Sequence, residues 1–113
     1  MKRYAFSVLI FFLLVSASSV NAAETWHSGK ITRVYPLANG SVVFSLDTDA
    51  PTCTNTSKPK YFYLQVGQNG VTAQGLQNIL AAGLAAAAQG KTVGINFDDA
   101  TQYCYVNRIN VIY

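Results

Sequence analysis

Residues 60–97 read KYFYLQVGQNGVTAQGLQNILAAGLAAAAQGKTVGINF. The two ends of this stretch alternate with a period of two and its middle repeats every three to four residues, so it reads as strand, helix, strand. In Lys60 to Val66, the residues Phe62, Leu64 and Val66 alternate with Tyr61, Tyr63 and Gln65. That pattern expects the first set on the core and the tyrosines on the other face. Gly67-Gln68-Asn69-Gly70 breaks the strand. Thr72 to Gln89 is then a helix: Thr72 can cap the free amides of the first turn, Val71 and Leu76 are spaced for a hydrophobic staple, and Gly90 stands where a left-handed cap is needed. Leu76, Ile79, Leu80, Gly83, Leu84 and Ala87 form its apolar stripe. Gly83 weakens the helix by about 1 kcal/mol relative to alanine, which implies close approach to a strand. Thr92 to Phe97 returns as a strand with Val93, Ile95 and Phe97 on one face.

Outward from this unit, Gly29 to Tyr35 (GKITRVY) reads as a strand that Pro36 ends, with Ile31, Arg33 and Tyr35 alternating against Lys30, Thr32 and Val34. Asn39-Gly40 has the chemistry of a tight hairpin turn, leading into Ser41 to Asp47 with Val42, Phe44 and Leu46 on one face. Residues 48–59 (TDAPTCTNTSKP) are an exposed loop. Tyr103 to Tyr113 (YCYVNRINVIY) is a last strand whose parity slips between Cys104/Val106 and Ile109/Val111. A bulge near Asn107-Arg108 reconciles the two halves.

The chain has 113 residues, 50% hydrophobic and 12% charged, which excludes a disordered protein and expects one domain. Lys2 and Arg3, an apolar run from Ala5 to Val15, and the small residues up to Ala23 have the layout of a secretory signal peptide, with cleavage expected after Ala22. This run of eleven residues reaches only about half-way across a 30 Å hydrocarbon core, so no stable membrane insertion is expected. Residues 1–22 are therefore the signal and 23–113 one domain, periplasmic or secreted. Without Lys2 and Arg3 there remain six basic residues against five acids, a net charge of +1. Lys58 and Lys60 are the only close basic pair, which speaks against nucleic acid. In an exported chain, Cys53 and Cys104 are read as one structural disulfide: two Cys and one His fall short of a tetrahedral zinc site, and there is no Cys-x-x-Cys pair.

The catalytic inventory is thin. His27 is the single histidine, placed before the first strand, so any Ser-His or Cys-His hydrolase must pass through it. Asp98-Asp99 reads as a solvated turn, and no cofactor or metal motif is present, so a non-enzyme is expected. The tyrosines are more informative. Tyr61 and Tyr63, and Tyr103 and Tyr105, form outward pairs on two strands and, with Trp26, are the candidate ligand-binding residues. An apolar face with a polar tip suits glycans and protein partners, though tyrosines also cover exposed strands for packing alone. The helix flank Ala81, Ala82, Ala85, Ala86 and Ala88 carries no charge. It is either a solvated face or one that packs against another subunit.

The order strand-strand-strand-helix-strand-strand, mainly β with one helix (α+β), is that of a small five-stranded OB-fold barrel. A Cys in the loop after the second strand, the aromatic strand KYFYLQV, the helix running into GKTVGINF, and the late Cys104 are similar to the pentamer-forming B subunits of bacterial AB-type toxins, in their subtilase-cytotoxin and pertussis-like branch. The likeness spans most of residues 29–113 through loose motifs, and no sugar-contacting motif of that family matches position by position. It implies an exported binding module that recognises a glycan or protein as a homo-oligomer beside an enzymatic subunit. The alternative is a monomeric periplasmic structural or stress protein with no soluble ligand.

Overall fold

The computed structural model describes residues 23–113; the expected export signal and its cleavage site lie outside the described residues. The elements are β1 (Glu24–Pro36), β2 (Val42–Leu46), β3 (Phe62–Leu64), α1 (Ala73–Ala88), β4 (Thr92–Asp98) and β5 (Val106–Ile112). The strands form one sheet in the order β3-β2-β1-β4-β5, with every neighbouring pair antiparallel. The mainly β architecture with one helix between the third and fourth strands is as the sequence expects.

β1 organises the sheet. Its first half, Glu24 to Lys30, pairs with β4, and its second, Ile31 to Pro36, with β2. The strand thus begins five residues before the expected Gly29. Thr25, Trp26, His27 and Ser28 show no apolar alternation, but β4 buries Val93, Ile95 and Phe97 and needs a partner on this side. Tertiary pairing outweighs weak local propensity. Thr32 is an extra residue between Ile31↔Leu46 and Arg33↔Ser45. This bulge corrects the expected parity: Ile31 and Val34 pack on the core, while Arg33 and Tyr35 are exposed.

The β1–β2 hairpin is present, but its loop holds three residues, Ala38 to Gly40. Leu37 N–H donates to Ser41 O at 2.8 Å, and the Asn39 side chain accepts from Ser41 N–H at 3.0 Å. Gly40 alone of these takes a positive φ, +88°. A left-handed glycine closing a three-residue loop matches the twist of the flanking strands.

The core joins Phe44 and Leu46 of β2, Phe62 and Leu64 of β3, the buried face of β4, and α1. Phe62 and Phe97 meet edge to face at 5.1 Å. β3 is only three residues long, and Val66, expected on the core, is exposed because the chain has already left the strand. Thr72 caps α1, its hydroxyl accepting from Gly75 N–H at 3.0 Å. At the other end, Lys91 N–H donates to Ala86 O at 2.9 Å and Gly90 N–H to Ala87 O at 3.2 Å, with Gly90 at φ +64°. This is the paired bonding of a Schellman cap.

The helix is rotated slightly from the expected stripe. Ala86, assigned to the far flank, is 1% exposed, whereas Leu84, assigned to the stripe, is 48% exposed. Gly83 faces the sheet, and Leu84, one residue on, lies about 100° round the helix from it. Ala81, Ala85 and Ala88 remain exposed, an uncharged flank.

β5 starts at Val106, and Asn107 is an extra residue between Phe97↔Val106 and Asn96↔Arg108, the expected bulge. Cys53 and Cys104 form the expected disulfide, with Cα atoms 5.8 Å apart and both residues fully buried. Among the described residues, no helix is long and apolar enough to cross a membrane.

Candidate functional site

The alternation of β3 decides the site. Phe62 and Leu64 are buried, so Tyr61 and Tyr63 stand on the opposite side. Across the sheet, Tyr35 of β1, Val43 of β2 and Tyr63 of β3 lie in one row, and Arg33 stands opposite Ser45 in the next. Val43 is outside the main core cluster yet only 1% exposed. The long side chains of its row shield it. Tyr35 joins the expected tyrosines because the bulge at Thr32 turns it to this face; its sequence signal is the adjacent apolar Val34, which packs on the core.

Tyr103 and Tyr105 reach this surface from either side of the disulfide-bonded Cys104, just before β5. Tyr63 N–H donates to Tyr103 O at 3.1 Å, tying that segment alongside β3. Five rings then follow one another. Tyr35 meets Tyr61 at 6.3 Å, Tyr61 meets Tyr63 at 6.2 Å and Tyr63 meets Tyr103 at 5.4 Å, each edge to face. Tyr103 stacks on Tyr105 at 5.3 Å. Arg33 sits over the Tyr61 ring at 5.7 Å and donates to its hydroxyl at 3.0 Å. Offset and edge-on pairs of this kind hold aromatic rings in fixed orientations.

Beside the rings is a cleft of about 200 Å³, lined by Tyr61, Tyr63 and Tyr103 together with the polar side chains of Asn55, Thr56, Ser57 and Gln102. Its polar wall is built by a loop that looks irregular but is tied down. Asn55 Nδ2 donates to Tyr61 O at 2.8 Å and Gln102 O at 3.1 Å, and its Oδ1 accepts from Tyr61 N–H at 3.1 Å. Lys60 Nζ donates to Cys53 O at 2.6 Å and Ala50 O at 3.0 Å, and Lys60 N–H donates to Asp49 Oδ1 at 3.0 Å. With the disulfide, these contacts fix both walls relative to each other. Burial, and then the neighbouring phenols led by Tyr61, hold the Tyr63 hydroxyl above its ordinary pKa; burial followed by Tyr103 does the same to Tyr105. Both phenols are neutral near pH 7 and keep a donor and an acceptor each.

Trp26 lies elsewhere. It is opposite Asn96, whose buried amide, in the orientation that satisfies both ends, accepts from Trp26 Nε1 at 3.2 Å and donates to Glu24. Arg108 sits over the indole at 5.4 Å. The structure therefore gathers Tyr61, Tyr63, Tyr103 and Tyr105, adds Tyr35, and leaves Trp26 on the β4 side of the sheet. His27, expected in a loosely held lead-in, is within β1 opposite Ile95. Its ring stacks on Phe62 at 6.4 Å, and Nε2 is 2.9 Å from the Thr48 hydroxyl and 3.1 Å from Thr48 O. Among the described residues, no group of three or more His, Cys, Asp or Glu side chains is placed to hold a metal ion.

Aromatic rings beside side-chain hydroxyls and amides can stack a ligand and hydrogen-bond its edge. Comparison with family models, with curated proteins and with solved structures finds no match to this chain.

Proposed function

We propose that this chain is an exported, non-enzymatic module that binds a glycan in the tyrosine-walled cleft. The observation that carries this reading is the chain of five contacting tyrosine rings, three of which line a cleft together with polar side chains held beside the Cys53–Cys104 bridge. Sugars present apolar ring faces bordered by hydroxyls, and the tyrosine rings and polar side chains of the cleft supply matching surfaces. Pre-ordered walls lower the entropic cost of binding. The non-enzymatic part is supported by the state of the single histidine, which is hydrogen-bonded to Thr48 and stacked on a core phenylalanine.

The finer architecture belongs to the same proposal. The strand order, the helix between β3 and β4, and the Tyr63–Tyr103 backbone bond that ties β3 to the segment leading into β5 support an OB-like barrel. The uncharged exposed flank of α1 supports a homo-oligomer of the toxin-B-subunit kind, which would present several clefts at once and gain avidity.

A glycan array and light scattering test the reading. The expected result is a defined set of bound sugars, lost by roughly tenfold or more in Tyr63→Ala and Tyr103→Ala proteins that keep their native circular dichroism. A monomer that retains no sugar on the array overturns it.

A further inference from the structure

Trp26 and Tyr35 differ in parity, so an unbroken strand would carry their side chains on opposite faces. The extra residue at Thr32 reverses this. Trp26, Ser28 and Lys30 before the bulge, and Arg33 and Tyr35 after it, are all exposed on the outer side of β1. Nine residues at about 3.3 Å each put the two aromatic positions up to about 30 Å apart along one strand. Tyr35 is the end ring of the tyrosine chain that borders the cleft. At the far end Trp26 is 49% exposed, with the Arg108 guanidinium over its ring. Between the aromatic ends stand two cations, Lys30 and Arg33. Two carboxylates also lie along the strand, Asp47 accepting from Lys30 N–H at 2.9 Å and Glu24 accepting from the Asn96 amide and, at 3.5 Å, from Asn69 Nδ2, against the three cations Lys30, Arg33 and Arg108.

We infer that the outer face of β1 is an extended track for a linear acidic polysaccharide, running from the tyrosine cleft to Trp26. The inference rests on the glycan reading of the cleft and names the ligand class. A single terminal sugar would use the cleft alone. Aromatic stops at both ends of a long strand, with cations between them, fit a chain of several sugar rings carrying carboxylates at intervals. A single-stranded nucleic acid would also meet aromatics and cations, but such grooves gather more positive charge than the net +1 of residues 23–113 offers.

The test is binding of the exported protein to uronic-acid oligomers from disaccharide to octasaccharide, to neutral hexose oligomers of the same lengths, and to oligothymidylate. Affinity is expected to rise with length for the acidic series alone and to fall with added salt. Trp26→Ala and Lys30→Gln are expected to weaken the acidic octasaccharide roughly tenfold while leaving the disaccharide unchanged. Length-independent binding overturns the track and leaves the cleft standing. Neutral oligomers bound as tightly as acidic ones, or a preference for oligothymidylate, also overturn it. No binding of any saccharide removes the cleft and the track together.

Discussion

The ring of Phe44 stands where Gly83 would carry a side chain: a Cβ on Gly83 would be 2.9 Å from Phe44 Cζ and 3.0 Å from Cε1. Phe44 is fully buried and cannot swing aside. The helix therefore accepts its poorest non-proline residue so that it can lie close on β2. Gly83→Leu is expected to destabilise by about 1–3 kcal/mol through overpacking, whereas Ala85→Leu, on the exposed flank, should change stability by less than about 0.5 kcal/mol. Urea unfolding of the two variants checks this, and equal effects would contradict the placement of Gly83 against Phe44.

The disulfide closes a separation of 51 residues. In the chain-entropy model, a loop of that size contributes about 4 kcal/mol. Cys53→Ser and Cys104→Ser should each lose a similar amount, and the double variant should lose little more than either, because one bridge is opened in every case. The two ends also carry the cleft walls, so glycan binding should fall in parallel. Thermal unfolding with and without reductant gives the first measurement, and titration of the variants below their melting temperatures gives the second.

How far the sequence spoke depended on whether apolar residues marked the register. The slip at Asn107 was legible because Val106 and Ile109 are apolar on either side of it and cannot both face water. The slip at Thr32 has the same signature in Ile31 and Val34, but it competes with a plausible alternation of Ile31, Arg33 and Tyr35, since arginine and tyrosine tolerate either face. The first half of β1 was illegible for a different reason. Thr25, His27 and Ser28 have no pattern of their own, and their pairing is dictated by β4, some seventy residues away in the chain. The outward tyrosines on β3 could be read from period two. Their meeting with Tyr103 depends on the disulfide and on a backbone bond across forty residues, and no local signal encodes it.

Asn55 is the hinge pin of the polar wall, and its amide is used at both ends. It donates to two carbonyls and accepts from Tyr61 N–H. Asn55→Asp keeps the shape but sets a second acceptor against the Tyr61 and Gln102 carbonyls, leaving them unpaired. A loss of about 1–3 kcal/mol is expected, with a larger fractional loss of glycan binding than Asn55→Ser, whose hydroxyl retains one donor. Denaturant unfolding and the glycan titration separate the two variants. An aspartate that binds and folds like wild type would show that the amide donors are idle.

Alkaline titration reports on the same cleft. Tyr63 and Tyr105 ionise above the ordinary value of 10.0, burial being the larger cause for each, followed by their phenol neighbours. A group whose folded pKa is raised binds its proton more tightly in the native state. Its contribution to stability is therefore complete below about pH 10 and is lost as pH climbs through the folded value. The native protein should become easier to unfold above pH 10, and ultraviolet difference spectra should show late-ionising phenols. In Tyr61→Phe, the largest of the neighbouring phenolates around Tyr63 is removed while most of its burial remains, so its titration should move back only part of the way. A full return to 10.0 would mean that charge, not exclusion of water, sets the shift. If a bound sugar covers the rings, it expels more water from them and should push Tyr63 higher still. A titration carried out with and without the ligand thus locates the binding surface independently of any substitution.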